Sequence, residues 1–284
     1  MKRILVVGGT GTVGRQVVLQ LAGSGAEVRA MSRNSGAAGF PAGVEVKRGD
    51  LTDPTSLDPC LEGVDAVFLV WTAPEDTAPA AIERIAKHAR RIVFLSAPLK
   101  TAHPLFQQKN ALRGMMERIE RKIEDSGCAW TFLRPGMFAA NALGWWAPQI
   151  HAGDAVRWPY LQVPTAPIDE KDIARVAVHA LCEDGHAGKE YVLTGPESLS
   201  QLEQVNTVGR AAGRSLRIEE MSPDEARREM VAIMPPGAVN MLLDAWSAAA
   251  GRPAHVTSTF AEITGKQPRT FAEWAEEHAG EFRG

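Results

Sequence analysis

A chain of 284 residues, 45% hydrophobic and 23% charged, has the make-up of an ordinary soluble globular protein and is long enough to bury a sizeable core. Its formal net charge of −3 gives no electrostatic reason to expect nucleic acid or an anionic membrane as a partner. Cys60, Cys128 and Cys182 are odd in number, far apart and without CxxC spacing, which argues against structural zinc or a disulfide framework.

No metal site is expected, and free thiols suit a reducing, cytoplasmic setting. Met1-Lys2-Arg3 leads into only a short apolar run before Gly8, too short for a signal-peptide core or a membrane span. That run, residues 4–7, is continuous, as for a central strand covered on both faces. Val17, Val18 and Leu21 then place apolar residues at helical spacing over 14–22. Further strands are expected at 27–31, 44–48, 66–70, 92–95 and 130–133, with helices at 79–91 and 108–126. This alternation predicts βαβ units and a parallel sheet. Beyond about residue 145 the pattern loosens. Helices are expected at 170–182, 200–212, 237–250 and 271–281, and short extended stretches at 190–193 and 216–219. Ser222-Pro223 reads as an N-cap followed by proline at the first helical position. The expected fold is a doubly wound α/β Rossmann type, with a nucleotide domain over 1–145 rejoined by a strand near 189–195. A smaller α+β lobe over 146–284 supplies one wall of a cleft.

Gly8-Gly9-Thr10-Gly11-Thr12-Val13-Gly14 lies between the first strand and the first helix, with G-x-x-G-x-x-G spacing. A backbone that turns sharply, approaches a pyrophosphate and lets a helix pack on its strand requires glycine at such places. The helix N-terminus then offers unpaired N–H groups to the phosphates. The competing reading is a glycine-rich turn in a fold that binds no nucleotide. For NAD, an acid is expected near the end of the second strand. Here that end reads Met31-Ser32-Arg33-Asn34, with Glu27 too early for the role. Arg33 suits a 2′-phosphate, so NADP(H) is favoured over NAD(H), against a solvated surface arginine. Asp50-Leu51 flanks the adenine, with Asp50 either bonding its amine or capping the loop. Val70-Trp71-Thr72 runs near the pyrophosphate and nicotinamide ribose.

These features, with Arg134-Pro135-Gly136-Met137-Phe138 and Asn141, resemble the NmrA-like branch of the atypical short-chain dehydrogenases/reductases. The resemblance runs from the glycine turn to Arg269-Thr270-Phe271-Ala272-Glu273-Trp274. It implies either an NAD(P)H-dependent reductase of quinones, azo dyes, imines or activated double bonds, or a non-catalytic NADP(H) sensor acting through another protein.

Standard short-chain dehydrogenases use a Tyr-x-x-x-Lys pair as general acid. The only tyrosines are Tyr160 and Tyr191, and neither has a lysine four residues on. At the matching place stand Leu105 and Lys109. Ser96, ending the fifth strand, either bonds a substrate oxygen or the nicotinamide amide, or caps the strand. Lys109 either bonds the nicotinamide ribose or is solvated. His103 is a candidate proton donor against the plainer reading of a surface histidine. Pro135-Gly136 can present backbone groups to the carboxamide. An acceptor that is already activated needs no strong protein acid, because hydride chemistry belongs to the nicotinamide. The opposite wall is expected from residues 138–165, where Phe138, Asn141, Trp145, Trp146, Trp158 and Tyr160 would line an aromatic cleft for a small apolar substrate. Core packing explains each of these aromatics equally well. Trp145 and Trp146 are not expected to face inward together, which leaves one for a ligand or a partner. The helix over 108–126 fits either a dimer contact or packing on the sheet.

Overall fold

The computed structural model describes residues 2–34 and 39–283. Seven parallel strands form the central sheet: β1 (Arg3–Val7), β2 (Glu27–Ser32), β3 (Glu45–Arg48), β4 (Ala66–Val70), β5 (Arg91–Leu95), β6 (Ala129–Pro135) and β9 (Lys189–Leu193). Their order is β3-β2-β1-β4-β5-β6-β9, so the chain reverses direction across the sheet between β1 and β4. A crevice opens at the carboxyl ends of strands at such a reversal.

The apolar runs make the strands central because both faces are covered. Ile4 and Val6 point into one core with Val17, Val18 and Leu21 of α1 (Thr12–Ala22), while Leu5 and Val7 point into the other. The first core also takes in Ile173 and Ala177 of α6 (Glu170–Cys182) and Phe260 of α10 (Thr259–Thr264), so residues from both halves of the chain build it. The opposite core is closed by α2 (Asp58–Leu61), α3 (Ala78–His88) and α4 (Ala111–Glu124).

The remaining elements form a smaller lobe with its own core. They are α5 (Asn141–Ala152), α7 (Gln201–Ala212), α8 (Pro223–Glu229), α9 (Pro236–Ala249), α11 (Phe271–Glu277) and α12 (Ala279–Arg283). Two small sheets join them, β7 (Ala155–Trp158) beside β11 (Arg217–Glu220) and β8 (Pro164–Thr165) beside β10 (Leu199–Ser200). Helix α5 was not expected: Pro148 lies inside it and Gly144 interrupts any stripe. Ser222 caps α8 with a reciprocal bond from Glu225, as the Ser-Pro signal implied.

A buried acidic group at the start of α6 holds the tail. Asp169 Oδ2 accepts from Arg269 Nη1 at 2.7 Å, and Asp172 Oδ2 accepts from the Arg269 backbone N–H at 2.7 Å. Burial pushes Asp172 up to about 6. Burial likewise raises Asp169 and Glu170. The folded chain therefore holds the Asp172 proton more tightly than the unfolded chain, where aspartate titrates near ~3.9. The stability this contributes is full below the unfolded value and is lost as pH rises through about 6. Asp172→Asn keeps the acceptor and removes the titration. The variant should melt above the wild type at neutral pH, with the gap closing on acidification; a gap that is constant across pH would refute this account.

Candidate active site

Apart from Lys109, the expected cofactor residues lie at the carboxyl ends of strands on the same sheet edge. The glycine turn follows β1, Arg33 follows β2, Asp50 follows β3, Trp71 follows β4, Ser96 follows β5 and Gly136 follows β6. Gly8 has φ +81°, and a Cβ there would stand 2.9 Å from Val70 Cβ. A Cβ on Gly14 would lie 2.1 Å from Gly8 O. Those two glycines answer to the protein's own packing. Gly11 does not: its added Cβ would meet only Gly8 O, at an ordinary 3.4 Å. Gly11 is the N-cap of α1, no side chain caps that helix, and no acid stands in its first turn. Side-chain caps are present on α4, α6, α7, α8 and α11, whereas α2, α3, α5, α9 and α10 lack one as α1 does, so it is the glycine at the cap that sets α1 apart. Uncapped amides beside a glycine that packing does not need fit a pyrophosphate, with Thr10, Thr12 and Val13 completing the turn.

Arg33 is exposed at the end of β2, and Glu27 is engaged by Arg3 at 2.7 Å. The Ser32 hydroxyl bonds the backbone of Asn34. Asp50 Oδ1 accepts from the Thr52 amide at 2.9 Å, which holds this carboxyl below its usual range, so the loop-capping role is filled. Leu51 is buried. The Trp71 indole turns into the core and donates to Ala73 O at 2.7 Å, leaving half-buried Val70 and exposed Thr72 on either side.

A cavity of about 260 Å³ opens at the carboxyl ends of β5 and β6. Ser96, Leu105, Pro135, Gly136 and Phe138 line it. Several expectations are corrected here. Lys109 is exposed and lines nothing; Gln108 and Asn110 line the cavity instead. The reason is local. Asn110 Oδ1 accepts from Arg113 N at 2.8 Å and caps α4, so the helix begins at Ala111 and Lys109 stays in the extended segment ahead of the cap. The Gly136 amide donates to Leu193 O at 2.9 Å. His103 is tied at both ring nitrogens, accepting from the Leu105 amide at Nδ1 and meeting Pro253 O at 3.0 Å.

The aromatic wall is also corrected. Of residues 138–165, Phe138 alone lines the cavity. Trp146 and Trp158 are 0% and 1% exposed in the core of the small lobe. Trp145, whose ring lies 5.3 Å from that of Trp158, packs against them, so both neighbouring tryptophans of α5 face inward. This is possible because α5 lies between β7 and α12 while Trp246 of α9 closes the cluster, 5.7 Å from Trp158. Trp158 Nε1 donates to Gln201 Oε1, as a satisfied core tryptophan does. Asn141 opens α5, and Tyr160 holds a strained turn at φ 52°. Neither lines the cavity. The missing wall is Met241, Leu242 and Ala245 of α9, which packs on the short turn Pro104–Phe106. Their i, i+1, i+4 spacing was the available signal.

Behind Ser96 lies a buried ionic cluster. Ser96 Oγ donates to Glu120 Oε1 at 2.7 Å. Arg134 donates from Nε to Glu120 Oε1 at 3.1 Å and from Nη2 to Oε2 at 2.6 Å. Its Nη1 reaches Glu190 Oε2 at 2.7 Å. The arginine of the R-P-G element thus clamps α4 to β9.

Residues 8–184 match the family model described as NAD(P)H-binding. The chain belongs to the NAD(P)H-binding family. It is 38% identical to the (4-alkanoyl-5-oxo-2,5-dihydrofuran-3-yl)methyl phosphate reductase of Streptomyces griseus, over 98% of this chain and 99% of that protein. It is 34% identical to the NAD(P)H azoreductase of Xenophilus azovorans, again over 98% and 99%. Among solved structures, the NADPH complex of an Escherichia coli NADPH-dependent quinone oxidoreductase superposes with a TM-score of 0.79 at 21% identity, covering 96% of this chain and 99% of that one. These relatives agree with the Rossmann fold, the NmrA-like resemblance and the oxidoreductase class expected from the sequence. Among the described residues no helix is long and apolar enough to cross a membrane, and no cluster of side chains suited to a metal ion is found.

Proposed function

We propose that the chain is an NADPH-dependent reductase that delivers hydride to a small apolar acceptor already activated for reduction: a quinone, imine or iminium, azo group or conjugated double bond. One observation carries this reading. An uncapped glycine cradle follows β1, and an apolar cavity lies at the same sheet edge beyond β4, at the ends of β5 and β6. In this reading Gly8, Gly11 and Gly14 seat the pyrophosphate and Arg33 takes the 2′-phosphate. Bound there, the nicotinamide supplies the hydride. Leu105, Phe138, Met241 and Leu242 exclude water and hold a flat substrate against it.

The proton that completes the reduction comes from solvent. Ser96 donates its one hydrogen bond to Glu120, Lys109 stands outside the cavity and His103 is held at both nitrogens. Such a site suits acceptors that need no strong acid and handicaps plain ketones. The test follows NADPH oxidation by absorbance against a panel of quinones, imines and enones. Tight nucleotide binding without turnover of any of them would leave the non-catalytic NADP(H) sensor as the better reading. Arg33→Ala should weaken NADP(H) by ~1.5–3 kcal/mol, the value of a charged hydrogen bond, and spare NAD(H). Equal losses for the two nucleotides would refute the 2′-phosphate role.

A further inference from the structure

The geometry points to Ser96 as a hydrogen-bond acceptor facing the cavity, its own proton held away by Glu120, so that the site selects substrates presenting an N–H or O–H at that wall. The inference rests on the proposal that this cavity receives the substrate.

The assignment of donors follows from the neighbours. Both carboxylate oxygens of Glu120 accept from the Arg134 guanidinium, at 3.1 and 2.6 Å. A carboxylate gripped in this bidentate way has acceptor capacity only. Ser96 Oγ, 2.7 Å from Glu120 Oε1, must therefore be the donor of that bond. A hydroxyl has one proton and two lone pairs, so whatever part of this hydroxyl a ligand in the cavity meets is a lone pair. Its backbone amide is also committed, to Leu133 O at 2.8 Å. Rotating the proton toward a ligand would cost Glu120 Oε1 its shorter bond and leave it only the 3.1 Å bond from Arg134 Nε, which is unfavourable for a carboxylate that is 5% exposed.

The arrangement inverts the role expected of a serine at this strand end. A carbonyl oxygen placed against Ser96 meets a lone pair and gains nothing. A protonated imine, an enol or a phenolic hydroxyl meets an acceptor. Glu120 and Arg134 do not reach the ligand and act as positioning residues. Arg134 is itself held by Glu190, whose Oε1 accepts from Lys100 at 2.5 Å, so the hydroxyl is oriented by a chain of fixed charges.

The test measures binding, which separates it from the question of turnover. Calorimetry with saturating NADP⁺ compares a naphthol with its methyl ether, two probes of similar shape that differ in one donor. Wild type should bind the naphthol about five- to tenfold more tightly, as one net hydrogen bond allows. Ser96→Ala should reduce that ratio to below about twofold by removing the acceptor. Glu120→Gln lets a side-chain amide donate to Ser96 and frees the hydroxyl proton, so the preference should vanish or invert. A purely structural role for Glu120 would move both probes together. Equal affinities in wild type, an unchanged ratio in Ser96→Ala, or a preference seen only without NADP⁺ would each overturn the inference; the last would assign the lone pair to the cofactor. Failure of both probes to bind wild type would overturn it too, through the cavity itself. NADP⁺ titrated alone reports separately on the glycine cradle.

Discussion

Gly14→Ala should weaken NADPH binding at least ~100-fold, while Gly11→Ala should weaken it ~10-fold or more without disturbing the fold. The two glycines differ in what surrounds the missing side chain. At Gly14 a methyl would sit 2.1 Å from Gly8 O and 3.1 Å from Gly9 Cα, both backbone atoms at the start of the turn. The turn has to move away from α1, with an expected stability loss of ~1–3 kcal/mol, the usual range for overpacking. Displaced amides no longer converge on a phosphate, and affinity should fall at least ~100-fold, or about 2.8 kcal/mol. At Gly11 the methyl meets only ordinary contact. Its backbone, at φ −81° and ψ 173°, is open to any residue. Stability should therefore stay within about 1 kcal/mol, the scale of N-cap exchanges. The methyl nonetheless occupies the space over the uncapped amides, and NADPH affinity should drop ~10-fold or more, about 1.4 kcal/mol. Calorimetry paired with thermal melts separates the two effects. A Gly11→Ala protein that binds NADPH as wild type does would remove the cradle from the argument.

Arg134→Met should destabilise the fold more than either glycine substitution does. Arg134 is 1% exposed and neutralises Glu120 while also meeting Glu190. Removing one partner of a buried ion pair strands the other, at a cost of ~3–5 kcal/mol. Glu190 keeps Lys100 and loses less. The double variant Glu120→Leu with Arg134→Met takes away both charges and should recover most of the loss, since a buried pair gains little over a well-packed apolar replacement. Urea midpoints at neutral pH measure both. A single variant within 1 kcal/mol of wild type, on the usual scale of surface changes, would show that the cluster does not hold α4 to β9.

The sheet and the glycine turn after β1 were legible because their physical demands are local. A strand covered on both faces needs an unbroken apolar run, as in Ile4–Val7, and a phosphate turn needs glycines at fixed offsets. The cavity wall was not legible, because it is assembled at long range. Aromatic density over residues 138–165 marks large volume to be buried, and volume alone does not say whether a core or a ligand takes it. Trp146 and Trp158 fill the core of the small lobe. Met241, Leu242 and Ala245 read only as the stripe of an alanine-rich helix until α9 is seen against the end of β6. Lys109 was misplaced by one local feature that was readable: Asn110, a strong N-cap, sets the start of α4 just beyond it. The ionic partners of Ser96 lie 24 and 38 positions further along the chain, on different elements, and no local pattern joins them.

Helix α9 lines the cavity and packs on Pro104–Phe106, and among the described residues none of the glycine turn lines that cavity. Half-buried Met241 and Leu242 can therefore be exchanged to reshape the cavity while the buried face of α9, with Leu243 and Trp246, and the glycine turn stay as they are. A set of paralogues sharing this architecture would diversify by resculpting that single rod, much as a key blank is recut along one edge.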